Sequence, residues 1–390
     1  MIALKPMMGS RQIKTAVESV KKAWNVSLVG LSESQKCHVI SVLKSQVNKP
    51  MVIITYNDVQ AKKIYEDLSF FLGNDVLLFP HRQLLFYNIT AHSNDISEQR
   101  ISVLGSLCLG QVKVIVAPVE ALLTVTVSPR QFSEGIKRIT DGDKLDMDGF
   151  VQGLVRGGYE RVDMIEGKGQ FSVRGGIIDV FGAGMENPIR MELFDDEVDS
   201  IREFDVNSQR SIQRLKSFVL FPAREVTISD DVFQKAKRQI EGPIMEYIKS
   251  VNGQGTYNTD GLLEKLQPVL DARQNIFYFE GVEELLPVFY HERHTFFDYL
   301  GDDGVIFIDE PERVRQRAEN VHLEFDENFK TLLIQGEVLK QQYNLMMNYR
   351  DLVESISQNP CVKVVLNTLP RTSKDFRVNR QVSFVTRTMH

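Results

Sequence analysis

Residues 51–56 read Met-Val-Ile-Ile-Thr-Tyr, apolar on both faces of an extended chain. Such a run is buried as a central strand of a parallel sheet, with helices covering both sides. Similar short runs occur at residues 26–30, 76–79 and 112–117, and helical stripes separate them. Ile40, Leu43 and Val47 recur at helical spacing, and Ala61, Ile64, Tyr65, Leu68, Phe71 and Leu72 form one apolar stripe. Asn57 or Asp58 caps the second of these helices, and Gly73 closes it. Asp95 with Glu98 reads as a capping box for a helix through Ile101, Leu104 and Cys108. Strands alternating with helices predict an α/β fold around a parallel sheet.

The period changes near residue 130. Residues 130–220 are glycine-rich, and period-two alternation replaces the helical period. Residues 171–181 and 190–204 read as antiparallel strands, turning at Gly175-Gly176, Gly182-Ala-Gly184 and Asp195-Asp196. The α/β pattern then resumes, with strand runs at 276–280, 305–308, 362–366 and 382–386 and a largely helical stretch at 312–356. We therefore expect a β-rich domain, residues 131–220, inserted between two parts of one α/β domain, residues 1–130 and 221–390.

Composition bounds the function. The 390 residues carry a net charge of −6, so nucleic-acid contact needs a local basic patch rather than the chain's overall charge. Cys37, Cys108 and Cys361 are far apart in sequence, which fits neither a disulfide framework nor a zinc spacing and suits a reducing cytoplasm. No apolar run reaches membrane-spanning length, and no secretory signal is evident. The chain stops directly after a strand-like run, which reads as a fragment of something longer.

Several segments carry possible chemistry. Gly30 and Lys36 stand at the spacing of a phosphate-binding loop between a strand and a helix. Gln35 replaces the glycine before the lysine, and Cys37 replaces the Mg²⁺-binding Ser or Thr after it. A relic loop that starts a helix is the preferred reading. Asp309 and Glu310 end an apolar strand as in a Walker B motif, but acids before a helix starting near Pro311 also suit its dipole. His291-Glu-Arg-His294 lacks a zinc-protease spacing, and Asp195-Asp-Glu-Val-Asp199 reads as a hairpin turn rather than a cation site. Trp24, the single tryptophan, is expected in the core. Arg371, Lys374, Arg377 and Arg380 form a basic cluster, read equally as a solvated loop or a DNA contact.

On the strand at 189–194, alternation puts Ile189, Met191 and Leu193 on one face and Arg190, Glu192 and Phe194 on the other. Arg174 can join them from the neighbouring strand. An aromatic ring among charges suits a protein interface, while a second buried face with a snorkelling arginine fits equally. Period alone leaves both open.

The runs Gly158-Tyr-Glu-Arg-Val-Asp163, Glu166-Gly-Lys-Gly-Gln-Phe-Ser-Val-Arg-Gly-Gly-Ile-Ile-Asp-Val-Phe181, Arg190-Met-Glu-Leu-Phe-Asp-Asp-Glu-Val-Asp-Ser-Ile-Arg202, Phe204-Asp-Val and Ser208-Gln-Arg-Ser211 are distinctive. They closely resemble the bacterial transcription-repair coupling factor family (Mfd), and more distantly the same region of the excision-repair protein UvrB. Phe79-Pro-His-Arg82 and Asn94-Asp-Ile-Ser-Glu-Gln-Arg-Ile-Ser-Val-Leu104 fit the same family.

The resemblance implies an N-terminal UvrB-like module: a RecA-like (P-loop NTPase/helicase-like) parallel-sheet domain interrupted by a β-rich α+β insertion. It implies that the insertion binds UvrA through Arg174, Arg190 and Phe194. The family removes RNA polymerase stalled at DNA lesions with an ATP- and Mg²⁺-dependent translocase acting on double-stranded DNA. Those parts lie downstream in the family, so this chain is expected to be a binding module with no cofactor of its own. Residues 84–94 are too short for the long aromatic hairpin with which UvrB probes damaged DNA. The competing expectation is a nucleotide-dependent motor half in which Lys36 and Asp309 form a weak ATP site.

Overall fold

The computed structural model describes residues 9–82, 84, 94–228, 231–235, 237–238, 281–290, 292–369 and 375–384. The first part of the chain runs α1 (Arg11–Lys21), β1 (Val26–Val29), α2 (Glu33–Gln46), β2 (Met51–Thr55), α3 (Asp58–Leu72), β3 (Val76–Leu78), α4 (Asn94–Cys108) and β4 (Val114–Pro118), then two short helices, α5 (Val119–Leu122) and α6 (Pro129–Glu134). A β-rich segment follows: β5 (Lys137–Thr140), α7 (Met147–Arg156), β6 (Glu160–Arg161), β7 (Gln170–Arg174), β8 (Ile177–Phe181), β9 (Ile189–Phe194), β10 (Glu197–Phe204), β11 (Ser211–Leu215) and β12 (Ser217–Leu220). The last part holds α8 (Leu286–Phe289), β13 (Val305–Asp309), α9 (Pro311–Gln335), α10 (Tyr349–Gln358), β14 (Val362–Asn367) and β15 (Arg380–Ser383).

Strands from the first and last parts build one seven-stranded parallel sheet in the order β15-β1-β14-β13-β2-β4-β3. Alternate residues of each central strand enter opposite cores. Val52, Ile54, Ile306 and Ile308 join one, and Met51, Ile53, Val305 and Phe307 join the other. This is why the strand runs are apolar on both faces. Asn57 caps α3 by accepting from the Gln60 N–H, and Gly73 ends it with a positive φ of 59°.

The β-rich segment makes its own six-stranded mixed sheet, β11-β10-β9-β8-β7-β6. The chain leaves through β5 and returns through β12, and these two strands pair antiparallel as a stalk. Phe221, just past the stalk, packs on α4 at Gly105. A β-carbon there would lie 2.5 Å from the ring, so the position requires glycine. Tyr159 donates its hydroxyl hydrogen bond to the Phe221 carbonyl at 2.6 Å.

Four residues later, Glu225 meets a buried cationic pocket. Arg100 Nε and Nη2 donate to its two oxygens at 2.7 and 3.0 Å, and Arg82 Nη1 lies 3.4 Å away. Arg100 also donates to the Pro80 carbonyl at 3.0 Å, and its guanidinium stacks 4.1 Å from the Phe79 ring centroid. Burial pushes the Glu225 carboxyl up, but Arg100 and Arg82 outweigh it and hold the group at about 2.

Several expectations change in three dimensions. Trp24 is not in the core: Ala23 turns left-handed (φ 56°) after α1, and the ring is 42% exposed. Asp95 lies inside α4 rather than capping it, and Glu98 pairs with Lys168 of the β-rich segment at 3.0 Å. The helical stretch at 312–356 is broken, because Gly336 (φ 76°) ends α9 in a left-handed turn. β15 begins two residues before the expected run. The strand at 276–280, the hairpin stretch 84–94 apart from residues 84 and 94, His291, Arg371, Lys374 and the final residues 385–390 lie outside the described residues.

Glu225 ties the returning chain to α4, so its loss should be costly. Replacing Glu225 with Gln leaves Arg100 buried without its counter-charge. The change should cost on the order of 3–5 kcal/mol at neutral pH, read by urea unfolding. The unmodified chain should lose roughly 3 kcal/mol from this one group as pH falls from about 4.5 to about 2, because its folded pKa lies below the unfolded value. The Gln variant should lack that component.

Candidate partner-binding face and closed nucleotide site

The six-stranded sheet has two unlike faces. Phe171, Ile178, Val180, Ile189, Met191, Val198 and Ile201 pack beneath Phe150 and Leu154 of α7 and against Ile139, Phe218 and Leu220 of the stalk. That face is filled by the apolar half of each period-two strand. The opposite face is polar. Strand register lines up Ser172, Asp179, Arg190, Arg202 and Arg214 across five strands in one row, with Arg174, Ile177, Glu192 and Ser200 in the next.

Asp179 organises this face. Its side chain is buried, yet it receives both arginines. Arg190 donates through Nε and Nη2 at 2.7 and 2.9 Å, and Arg174 Nη2 donates at 2.6 Å. Hydrogen bonding to Asp179 raises the Arg190 pKa. Arg190 also reaches Gln209 Oε1 at 3.3 Å and stacks 4.5 Å from the Phe204 ring centroid. Its side chain is 19% exposed, against 50% for Arg174. Glu192 accepts from Ser200 Oγ at 3.0 Å and from Arg202 at 3.3 Å. Phe194, at the strand end, is 79% exposed.

The two side chains fare differently. Arg190 is held within the face, and Phe194 stands clear of it. Asp179 was missed. A lone acid inside the apolar run Ile177-Ile-Asp-Val-Phe181 was the signal, because a charge buried there requires cations nearby. Asp195 adopts the left-handed turn (φ 58°) of the β9–β10 hairpin, and Asp196 pairs with exposed Lys144, as a solvated turn would.

The loop after β1 is closed by its own side chains. Gly30 (φ 86°) passes so near β15 that a β-carbon there would lie 2.3 Å from the Phe384 carbonyl oxygen. Ser32 stands at the N-cap of α2, and Gln35 Oε1 accepts from the Ser32 N–H at 2.9 Å. Gln35 thus spends its amide on the helix start. Lys36 is buried, with Nζ 2.6 Å from Asp309 Oδ1 and 2.7 Å from Glu310 Oε1. Parallel pairing brings the ends of β1 and β13 close on either side of β14, which joins Lys36 to acids 273 and 274 residues away.

Glu310 sits in a left-handed conformation (φ 52°) and accepts from the Thr368 N–H at 2.7 Å. Burial raises the Asp309 pKa, with Lys36 opposing it. Burial also pushes the Cys37 thiol up to about 12, so it stays protonated beside Asp67. The lysine that would meet a phosphate is already neutralised from two sides.

Residues 138–226 match the family model described as the UvrB interaction domain. The chain is 33% identical over 321 residues to the transcription-repair-coupling factor of Bacillus subtilis (strain 168), covering 80% of this chain and 26% of that protein. It is 28% identical over 338 residues to the transcription-repair-coupling factor of Staphylococcus aureus (strain bovine RF122 / ET3-1), covering 85% and 28% respectively. The chain spans about a quarter of the length of these curated relatives.

Lys36 reads here as an internal counter-ion, so its removal should act on folding. Lys36→Met should destabilise the chain by about 3 kcal/mol or more in urea unfolding at neutral pH. The deficit should deepen as pH rises above the ordinary carboxylate range. Asp309, already raised by burial and now stripped of its cation, then fits the fold only when protonated. A lysine serving only to hold phosphate would leave apo stability nearly unchanged.

Proposed function

The chain is a UvrB-like module of the transcription-repair coupling factor family, and on that premise we propose that it recruits UvrA to RNA polymerase stalled at DNA lesions. The observation that carries the reading is the polar face of the six-stranded sheet. There a buried Asp179 holds Arg174 and Arg190 side by side, next to the exposed ring of Phe194. Asp179 uses three of the arginines' N–H donors, and the remaining donors suit acceptors on a partner. Phe194 would fill an apolar pocket, the kind of anchor that dominates binding energy. This face falls inside residues 138–226, which match the UvrB interaction domain.

The reading includes the rest of the domain plan. Residues 1–130 and 221–390 form a RecA-like domain split by the UvrA-binding insertion at 131–220. The whole protein, acting in the cytoplasm, would bind polymerase and drive along double-stranded DNA with ATP and Mg²⁺ through parts beyond this match. We assign no nucleotide to this chain, because Lys36 is committed to Asp309 and Glu310 and Gln35 to Ser32.

Titration of UvrA against the 390-residue chain tests the reading. The unmodified chain should bind saturably. Phe194→Ala and Arg174→Ala should each weaken binding roughly 30-fold, about 2 kcal/mol, with thermal stability unchanged in Phe194→Ala and slightly lowered in Arg174→Ala, which takes one of two cations from Asp179. Arg190→Glu should also abolish binding but lower stability, since it sets a second carboxylate against Asp179. An unmodified chain that does not bind, or a Phe194→Ala chain that binds as well, would sink the proposal.

A further inference from the structure

The basic segment before β15 meets a second cluster on a different sheet from the face just described. Asn25 joins them. Its backbone oxygen accepts from the N–H groups of Asn379 and Arg380 at 2.8 and 3.2 Å. Its side-chain amide donates to the Arg377 carbonyl at 3.1 Å, and its own N–H donates to Asn379 Oδ1 at 2.8 Å. Register sets Arg380 opposite Val26, two residues past Trp24. The last turn of α1, which packs on β15, ends at Lys21, with Lys22 following. Lys21, Lys22, Trp24, Arg377 and Arg380 thus gather at one corner of the seven-stranded sheet, all exposed.

Arg11 and Lys14 extend the charge along α1, where Glu18 is the one acid. Asp375, the nearest acid in the other segment, is engaged by the Tyr349 hydroxyl at 2.9 Å. Among the described residues, Lys21, Lys22, Arg377 and Arg380 have no ion-pair partner. In a chain of net charge −6, this corner keeps a local positive field. Lys22 Nζ lies 5.2 Å from the Trp24 ring centroid, and the ring remains 42% exposed.

Cations without ion-pair partners beside an exposed planar ring match one ligand chemistry. Phosphates are held by the cations while an unpaired base stacks on the ring. A duplex hides its base faces, and a run of acidic side chains offers no aromatic face to set on the indole. We propose that this corner binds single-stranded nucleic acid, with Trp24 stacking on a base and Lys21, Lys22, Arg377 and Arg380 contacting the backbone.

Trp24 is the chain's only tryptophan, so it reports its own occupancy. Titrating an oligothymidylate of about 12 nucleotides into the 390-residue chain at low salt should quench its emission saturably. The logarithm of the binding constant should fall against the logarithm of salt concentration with a slope of about −3, four phosphates at about −0.7 each. A Lys21→Glu, Arg380→Glu double variant should bind about tenfold more weakly or worse, with unchanged melting temperature. Trp24→Ala, followed by anisotropy of a labelled strand, should also lose about tenfold. Four results would overturn the proposal: no saturable quenching, a duplex bound equally well, polyglutamate quenching as strongly, or a charge-reversed variant that binds unchanged.

Discussion

The architecture rests on one buried ion pair. Arg100 on α4 and Glu225, five residues past β12, tie the chain returning from the six-stranded sheet to a helix packed on the parallel sheet. An inserted domain can swing on its two connections unless something fixes them. Here the Phe221 ring lies against Gly105, the Arg100 guanidinium lies over Phe79, and the carboxylate closes the pocket. Such a pair adds little net stability over a well-packed apolar substitute, but breaking it leaves a buried charge uncompensated, which penalises arrangements that separate the two segments. It also accounts for Phe79-Pro-His-Arg82 and Arg100 in the segments that resemble the coupling factors. Burial and Arg100 lower the His81 pKa to about 4, so the pocket carries its positive charge on arginines alone.

The same physics recurs twice with opposite results. At Asp179 a buried acid on a sheet face draws two arginines that remain partly solvated, so their outer donors stay available to a partner. At Lys36 a buried cation is drawn between two acids at the end of a central strand, and nothing is left over. Both arrangements satisfy buried charge. What differs is the side of the structure on which the longer, multi-donor group lies. A sheet face lets arginine reach outward, whereas the crevice between parallel strands closes over a lysine.

Much of the fold was legible because its causes are local. The two-faced apolar run at 51–56 required a covered parallel strand, and it is one. The glycine-marked turns at Gly175 and Gly184 and the hairpin at Asp195 all adopt the positive φ that their residues favour. The candidate face was half legible. Alternation placed Phe194 outward from Ile189, Met191 and Leu193, but it could not say whether Arg190 was free. That depended on Asp179, eleven residues away and on another strand. Trp24 was misread because hydropathy favours burial, while the left-handed turn at Ala23 that directs the ring outward leaves no mark in composition.

By itself, then, the sequence determined most of the elements, their periods and the break in pattern that announces the second, mixed sheet, since these follow from residues within a few positions of one another. It also carried the departures at Gln35 and Cys37 from a phosphate-binding loop. Only the tertiary structure decided what each charge faces. It paired Lys36 with acids 273 and 274 positions away and Arg100 with Glu225 across the whole six-stranded sheet, and it set the cations of α1 beside Arg377 and Arg380. The energy of a charge depends on its neighbours in space and on its burial, and neither is a property of a residue's place in the chain.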